Sequence, residues 1–231
     1  MDGAGMTKPE LTLAHSRTAP LPKLRRVAVD AAQHDLLARL LAAAAPNAPS
    51  ARMAATLLRQ HGSLARVLCA SDQRLKSVSH MTEDTIAHLR LTQAVAETIT
   101  RKQLDDRPIL GSWQTVMEYC RATMAHRDVE EVRVFYLDRK NHLIADEQHS
   151  RGTVDHAPFY PREVIKRALE MSASALVVVH NHPSGDPTPS TGDIALTRQL
   201  GEASKMMGLT LHDHIIITPS GEVSFRAEGL I

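Results

Sequence analysis

At 231 residues the chain is long enough for one large or two small domains, and 43% apolar residues suffice for a real core. Aromatics make up only 3%, so that core must be aliphatic. A net charge of +1, from 27 basic and 26 acidic residues, excludes a general electrostatic attraction to nucleic acid or membrane. No apolar run approaches the ~20 residues of a membrane span. No hydrophobic leader segment opens the chain, so the expected compartment is the cytoplasm. Cys69 and Cys120 fall in unrelated apolar helical segments, which fits buried free thiols in a reducing environment.

Residues 1–29 mix Gly, Pro, Thr and scattered charge without periodicity and read as a disordered tail, its Lys23 to Arg26 cluster solvated. Residues 30–102 read as a small helical domain. His34 to Ala45 carries Leu36, Leu37, Leu40 and Leu41 at helical spacing and stops at Pro46. Ala51 to His61 repeats the pattern and closes at Gly62. Ser63 and Ser71 cap two short helices, and Glu83 to Lys102 forms the longest, with Ile86, Leu89, Leu91, Val95 and Ile99. The charged, proline-bearing stretch 103–110 reads as a linker. Residues 111–231 form the second domain, opening with a helix from Trp113 to His126.

A strand from Glu130 to Asp138 and a partner from His142 to Arg151 make a hairpin around Arg139-Lys140-Asn141. Pro161 begins a helix to Met171, with Val164, Ile165, Ala168 and Leu169 inward. A β-branched run, Ala175 to His180, reads as a buried strand. A stiff loop with Pro183, Gly185, Pro187 and Pro189 leads to a helix from Ser190 to Met207, closed by Gly208. Strands at 209–218 and 222–226 flank a Pro219-Ser220-Gly221 turn. The fold class is α/β: a mixed sheet flanked by helices, preceded by a small all-α domain.

The chemistry concentrates at the strand-to-helix junction, which has the spacing H-x-H-x7-S-x2-D. His180 and His182, two apart on a strand, share a face. With Asp193 they form a donor set that suits zinc, leaving a coordination position open to water. Ser190, one helical turn before Asp193, is placed to stabilise an oxyanion. The competing reading is a capping box, with Ser190 as N-cap and Asp193 in the first turn. His212 and His214 form a second HxH that spacing alone does not exclude as ligands, and they rank second because no loop and helix-borne acid follow them. His142, His149 and His156 read as solvated.

The stretch HNHPSGDPTPS with Asp193 three residues on resembles the RadC family, within the JAMM (MPN-type) metallopeptidase-like domains. The resemblance runs from about Trp113 to the C-terminus. It is supported by Phe135-Tyr136-Leu137-Asp138, Arg151-Gly152-Thr153, Pro161-Arg162-Glu163-Val164 and the LHDHI segment at 211–215. It implies a JAMM-type, cytidine-deaminase-like sheet that binds zinc through His180, His182 and Asp193. It also implies a glutamate acid/base eight residues before the aspartate that ends the first strand, which is Glu130. Glu131 beside it should face the other side of the sheet. The helical part resembles the helix-hairpin-helix-like region of RadC relatives, but Ser79-His80-Met81-Thr82 stands where a glycine-bearing, phosphate-binding turn is expected. The implied function is a zinc-dependent hydrolase of metallopeptidase or isopeptidase type, acting on a protein or peptide. The alternatives are a DNA-repair-associated nucleic-acid-binding protein and a non-catalytic, metal-stabilised interaction module.

Overall fold

The computed structural model describes residues 30–105, 108–152 and 159–231. The expected tail at 1–29, together with Thr153 and His156, lies outside the described residues.

Local chemistry sets the helical ends. The Asp30 carboxylate accepts from the Ala32 N–H (2.9 Å) and opens α1 (Ala31–Ala44). Gly62, left-handed at φ 87°, closes α2 (Ser50–His61). Ser63 and Ser71 accept from the N–H groups of Arg66 and Arg74 at α3 (Leu64–Cys69) and α4 (Asp72–Lys76). Thr82 does the same for Thr85 at α5 (Glu83–Asp105). Leu37, Leu41, Leu57, Val67, Leu75 and Leu89 fuse these helices into one aliphatic core. The turn before α5 is made without glycine, because His80 takes the left-handed conformation (φ 67°). Along α5, Ile86 and Leu89 are buried, whereas Leu91, Val95 and Ile99 lie on an exposed stripe. Of the 103–110 stretch expected as a linker, residues 106–107 lie outside the described residues; on either side of them α5 runs to Asp105, and Leu104 and Ile109 are buried against the sheet domain.

The second unit is a five-stranded sheet in the order β2-β1-β3-β4-β5. The strands are β1 (Glu131–Leu137), β2 (Leu143–Arg151), β3 (Ala175–Asn181), β4 (Thr210–Thr218) and β5 (Gly221–Ser224). Only β3 and β4 are parallel, and α8 (Thr191–Met206) makes the crossover between them. With α7 (Pro161–Glu170), α8 covers one face, burying Val134, Tyr136, Leu176 and Val178. Phe135, Leu137, Val177 and Val179 face the other core, against α6 (Trp113–Thr123). Every residue of β3 is buried, which explains its unbroken apolar run. Leu169, expected inward, is 45% exposed, because α7 presents Val164, Ile165 and Ala168 instead. Cys69 and Cys120 are buried free thiols. Among the described residues no helix is long and apolar enough to cross a membrane.

One charged cluster lies inside the sheet domain. The Asp146 side chain is fully buried and accepts from the Tyr119 hydroxyl and from Arg133 Nη1 (3.2 Å). Replacing Asp146 by alanine leaves the Arg133 guanidinium without its counter-charge. The expected cost is about 3 kcal/mol, read as a lowered urea midpoint at unchanged slope.

Candidate metal centre

The end of β3 delivers two imidazoles to one place. His180 Nε2 and His182 Nε2 lie 2.8 Å apart. Asp193, in the first turn of α8, brings Oδ1 to 3.8 Å from His180 Nε2 and Oδ2 to 3.9 Å from His182 Nε2. Glu130 completes the cluster from the residue before β1, its carboxylate and the two imidazole nitrogens lying within 4.8 Å of one another. Donors of a tetrahedral zinc at ~2.0–2.1 Å stand about 3.4 Å apart, so sub-ångström adjustments would seat an ion here.

With both rings neutral, the surrounding hydrogen bonds assign their tautomers. His182 Nδ1 meets the Asp186 carbonyl oxygen at 2.8 Å, so it carries the hydrogen and leaves Nε2 bare. The Thr197 hydroxyl donates to the Asp193 carbonyl oxygen (2.5 Å) and must therefore accept from His214 Nδ1 (2.5 Å). His214 Nε2 is then an acceptor, and His180 Nδ1, 2.7 Å away, donates to it. His180 Nε2 is bare as well. Two imidazole lone pairs face each other at 2.8 Å beside a carboxylate, an arrangement that a cation between them relieves. The donor set therefore fits zinc.

The same chain of contacts fixes His180 in rotation, as groups behind a metal ligand do. His214 is held by Phe225, stacked at 4.4 Å between ring centroids, and by the edge of Phe159 at 6.2 Å. Burial is the main force lowering the His180 pKa, to about 4, and it also pushes His214 well below its ordinary value. Between about pH 4 and 6.5 the unfolded chain binds protons that the folded chain refuses. The contribution to stability is complete above pH 6.5 and is lost as pH falls toward 4. His180 alone should make the metal-free protein about 2 kcal/mol less stable at pH 5 than at pH 7.5, with His214 adding to the loss, measured by urea unfolding.

Glu130 is 8% exposed, and the segment carrying it is clamped to β3 by the fully buried Asn181. The Asn181 side chain accepts from the Glu131 N–H (2.9 Å) and donates to the Val129 carbonyl (3.0 Å). Glu131 contributes to the field around Arg133, on the other side of the strand. Ser190 is the N-cap of α8 in a complete capping box. Its hydroxyl donates to Asp193 Oδ2 (2.6 Å) and accepts from the Asp193 N–H (3.1 Å), so it orients that carboxylate.

His212 and His214 do not act as a pair. A register shift between β3 and β4 after Leu176 and Leu211 inserts one extra residue, His212, and breaks the alternation. Leu211 and His214 consequently share a face, while His212 turns to Asn141 (2.7 Å). His149, expected in solvent, is half-buried against the Tyr136 hydroxyl. The roles of Asn181 and Thr197 were not legible in the linear pattern, and His214 was marked only by the Asp213-His214 match, as a contact behind a ligand. The nearest signal was the polar run His180-Asn181-His182 at the end of an otherwise apolar strand.

Comparison with known proteins places the geometry in a family. Residues 110–230 match the family model described as a RadC-like JAB domain. The chain belongs to the RadC family. It is 50% identical over 198 residues to a UPF0758 protein of Rhodobacter capsulatus, covering 86% of this chain and 92% of the relative. A UPF0758 protein of Ruegeria pomeroyi is likewise 50% identical over 198 residues, covering 86% and 88%. The RadC-like JAB domain accounts for the sheet, α6 to α8 and all four residues of the cluster.

Proposed function

We propose that this chain is a zinc-dependent hydrolase that cleaves an amide or isopeptide bond in a protein or peptide. The observation that carries the reading is the convergence of two bare imidazole nitrogens with the Asp193 and Glu130 carboxylates. His180, His182 and Asp193 would hold zinc, which when bound polarises the scissile carbonyl and lowers the pKa of a water to about 7. Glu130 takes the proton from the attacking water and delivers it to the leaving amine, one carboxylate serving as base and then acid. Its burial keeps bulk water from competing for that proton. Asn181 holds the Glu130 segment still, and His214 keeps the His180 ring in its tautomer. Ser190 first orients Asp193; stabilising an oxyanion requires its hydrogen to swing from Oδ2 to substrate.

The test pairs metal analysis with hydrolysis of a fluorogenic peptide library by zinc-loaded protein. Near-stoichiometric zinc and turnover lost on chelation are expected. Stoichiometric zinc with no cleavage of any amide would leave the non-catalytic, metal-stabilised reading instead.

A further inference from the structure

A second polar recess lies between the helical unit and the sheet domain, with a volume of about 270 Å³. Its walls carry Arg66 from α3, Arg74 from α4, and His126, Arg127 and Asp128 from the segment before β1. Pro183 and Ser184, the two residues after His182, close one side. Three arginines thus line a cavity with a single acid among its residues.

The partners of these arginines separate structural charge from available charge. Arg74 pairs with Asp128 (2.9 Å), whose other oxygen accepts from the Ser71 N–H (3.2 Å). Arg127 spends its hydrogens on the Thr123 carbonyl (2.8 Å) and on Glu97 (3.0 Å). Among the described residues, the Arg66 side chain has neither an acid nor a carbonyl partner. His126 Nδ1 is buried without a hydrogen-bond partner. The neighbouring cavity on the other side of Arg127 and Asp128 is different: its Arg90 is consumed by Asp72 and by the Leu68 and Ala70 carbonyls. Arginine in that cavity staples the fold, whereas in this recess donors are left over.

We propose that the recess is a binding site for an oxyanion, a carboxylate or phosphate group, with the Arg66 guanidinium as its direct donor and the His126 ring as part of its wall. Arg66 offers the forked geometry that grips two oxygens at once. Arg74 and Arg127 add positive potential within a cavity walled by protein, where charge acts more strongly than in open water. Burial first, and the field of Arg66 after it, lower the His126 pKa. The site shares no residue with the Glu130, His180, His182 and Asp193 cluster and does not depend on hydrolysis. It does lie on the loop that carries His182, so an occupied recess and that cluster are mechanically joined.

Imidazole NMR of the full chain, titrated with sodium phosphate, sodium acetate and sodium chloride at matched ionic strength, tests this. Phosphate or acetate should produce a saturable shift of the His126 ring in the millimolar range that chloride does not reproduce. Saturation by both anions assigns the site to carboxylates as well as phosphates; saturation by phosphate alone assigns it to phosphate groups. Arg66→Gln should weaken the affinity at least tenfold at an unchanged melting temperature, because Arg66 supports no contact in the fold. Arg198→Gln, at an exposed site on α8, should change nothing. Equal responses to chloride and phosphate, or an Arg66→Gln protein that binds as well as wild type, would overturn the assignment.

Discussion

Alanine at His180 should reduce zinc content from near one ion per chain to near none after dialysis, with affinity lowered about 1000-fold or more. One of three ligands is removed from a site whose total binding energy in such proteins is on the order of 10 kcal/mol. The change also reaches the metal-free protein. His180 is 1% exposed and donates to His214, so truncation opens a cavity and leaves His214 Nε2 with no donor. A further loss of about 2–4 kcal/mol in metal-free stability is expected. Zinc titration with a competing chelator and parallel urea unfolding separate the two effects. His182→Ala provides the contrast: its ring sits nearer the surface and bonds only the Asp186 carbonyl on its far side, so zinc should be lost with a smaller change in folding.

Glutamine at Glu130 should leave zinc bound and abolish turnover. Glutamine has nearly the same shape, but its amide cannot accept a proton from water at neutral pH or return one to an amine. Loss of a positioned general acid/base lowers rate by about 10²–10⁴-fold. The measured quantity is kcat on whichever peptide the wild-type protein cleaves, with zinc content measured on the same sample. Glu131→Gln, one residue along and across the strand, should retain activity within a few-fold. Equal loss in both variants would point to disruption of the β1 start rather than to chemistry at Glu130.

The sequence carried the parts of this site that local geometry dictates. His180 and His182 share a face because strand periodicity is two, and Asp193 falls in the first turn after a proline-stiffened loop. Both are consequences of neighbours along the chain. The His214 contact is not, because it depends on parallel pairing across 34 residues and on the extra residue at His212. Without that bulge the HxH spacing at 212–214 predicts two imidazoles side by side, which is the expectation the structure replaces. Asn181 is similar: an amide between two histidines looks unremarkable until β1 is laid beside it. The helical unit was legible in its caps and its aliphatic core. The burial of Leu104 and Ile109 was not, because charge and proline mark a linker only when nothing folds back onto it, and here these two side chains do.

X-ray absorption at the zinc K-edge of purified, zinc-loaded protein tests the metal centre most directly. The geometry requires two imidazole nitrogens at about 2.0–2.1 Å with oxygen in the remaining positions. The second-neighbour scattering from two rings should disappear in His180→Ala. Sulfur ligation, or a spectrum identical in wild type and His180→Ala, would contradict a zinc site built on the end of β3.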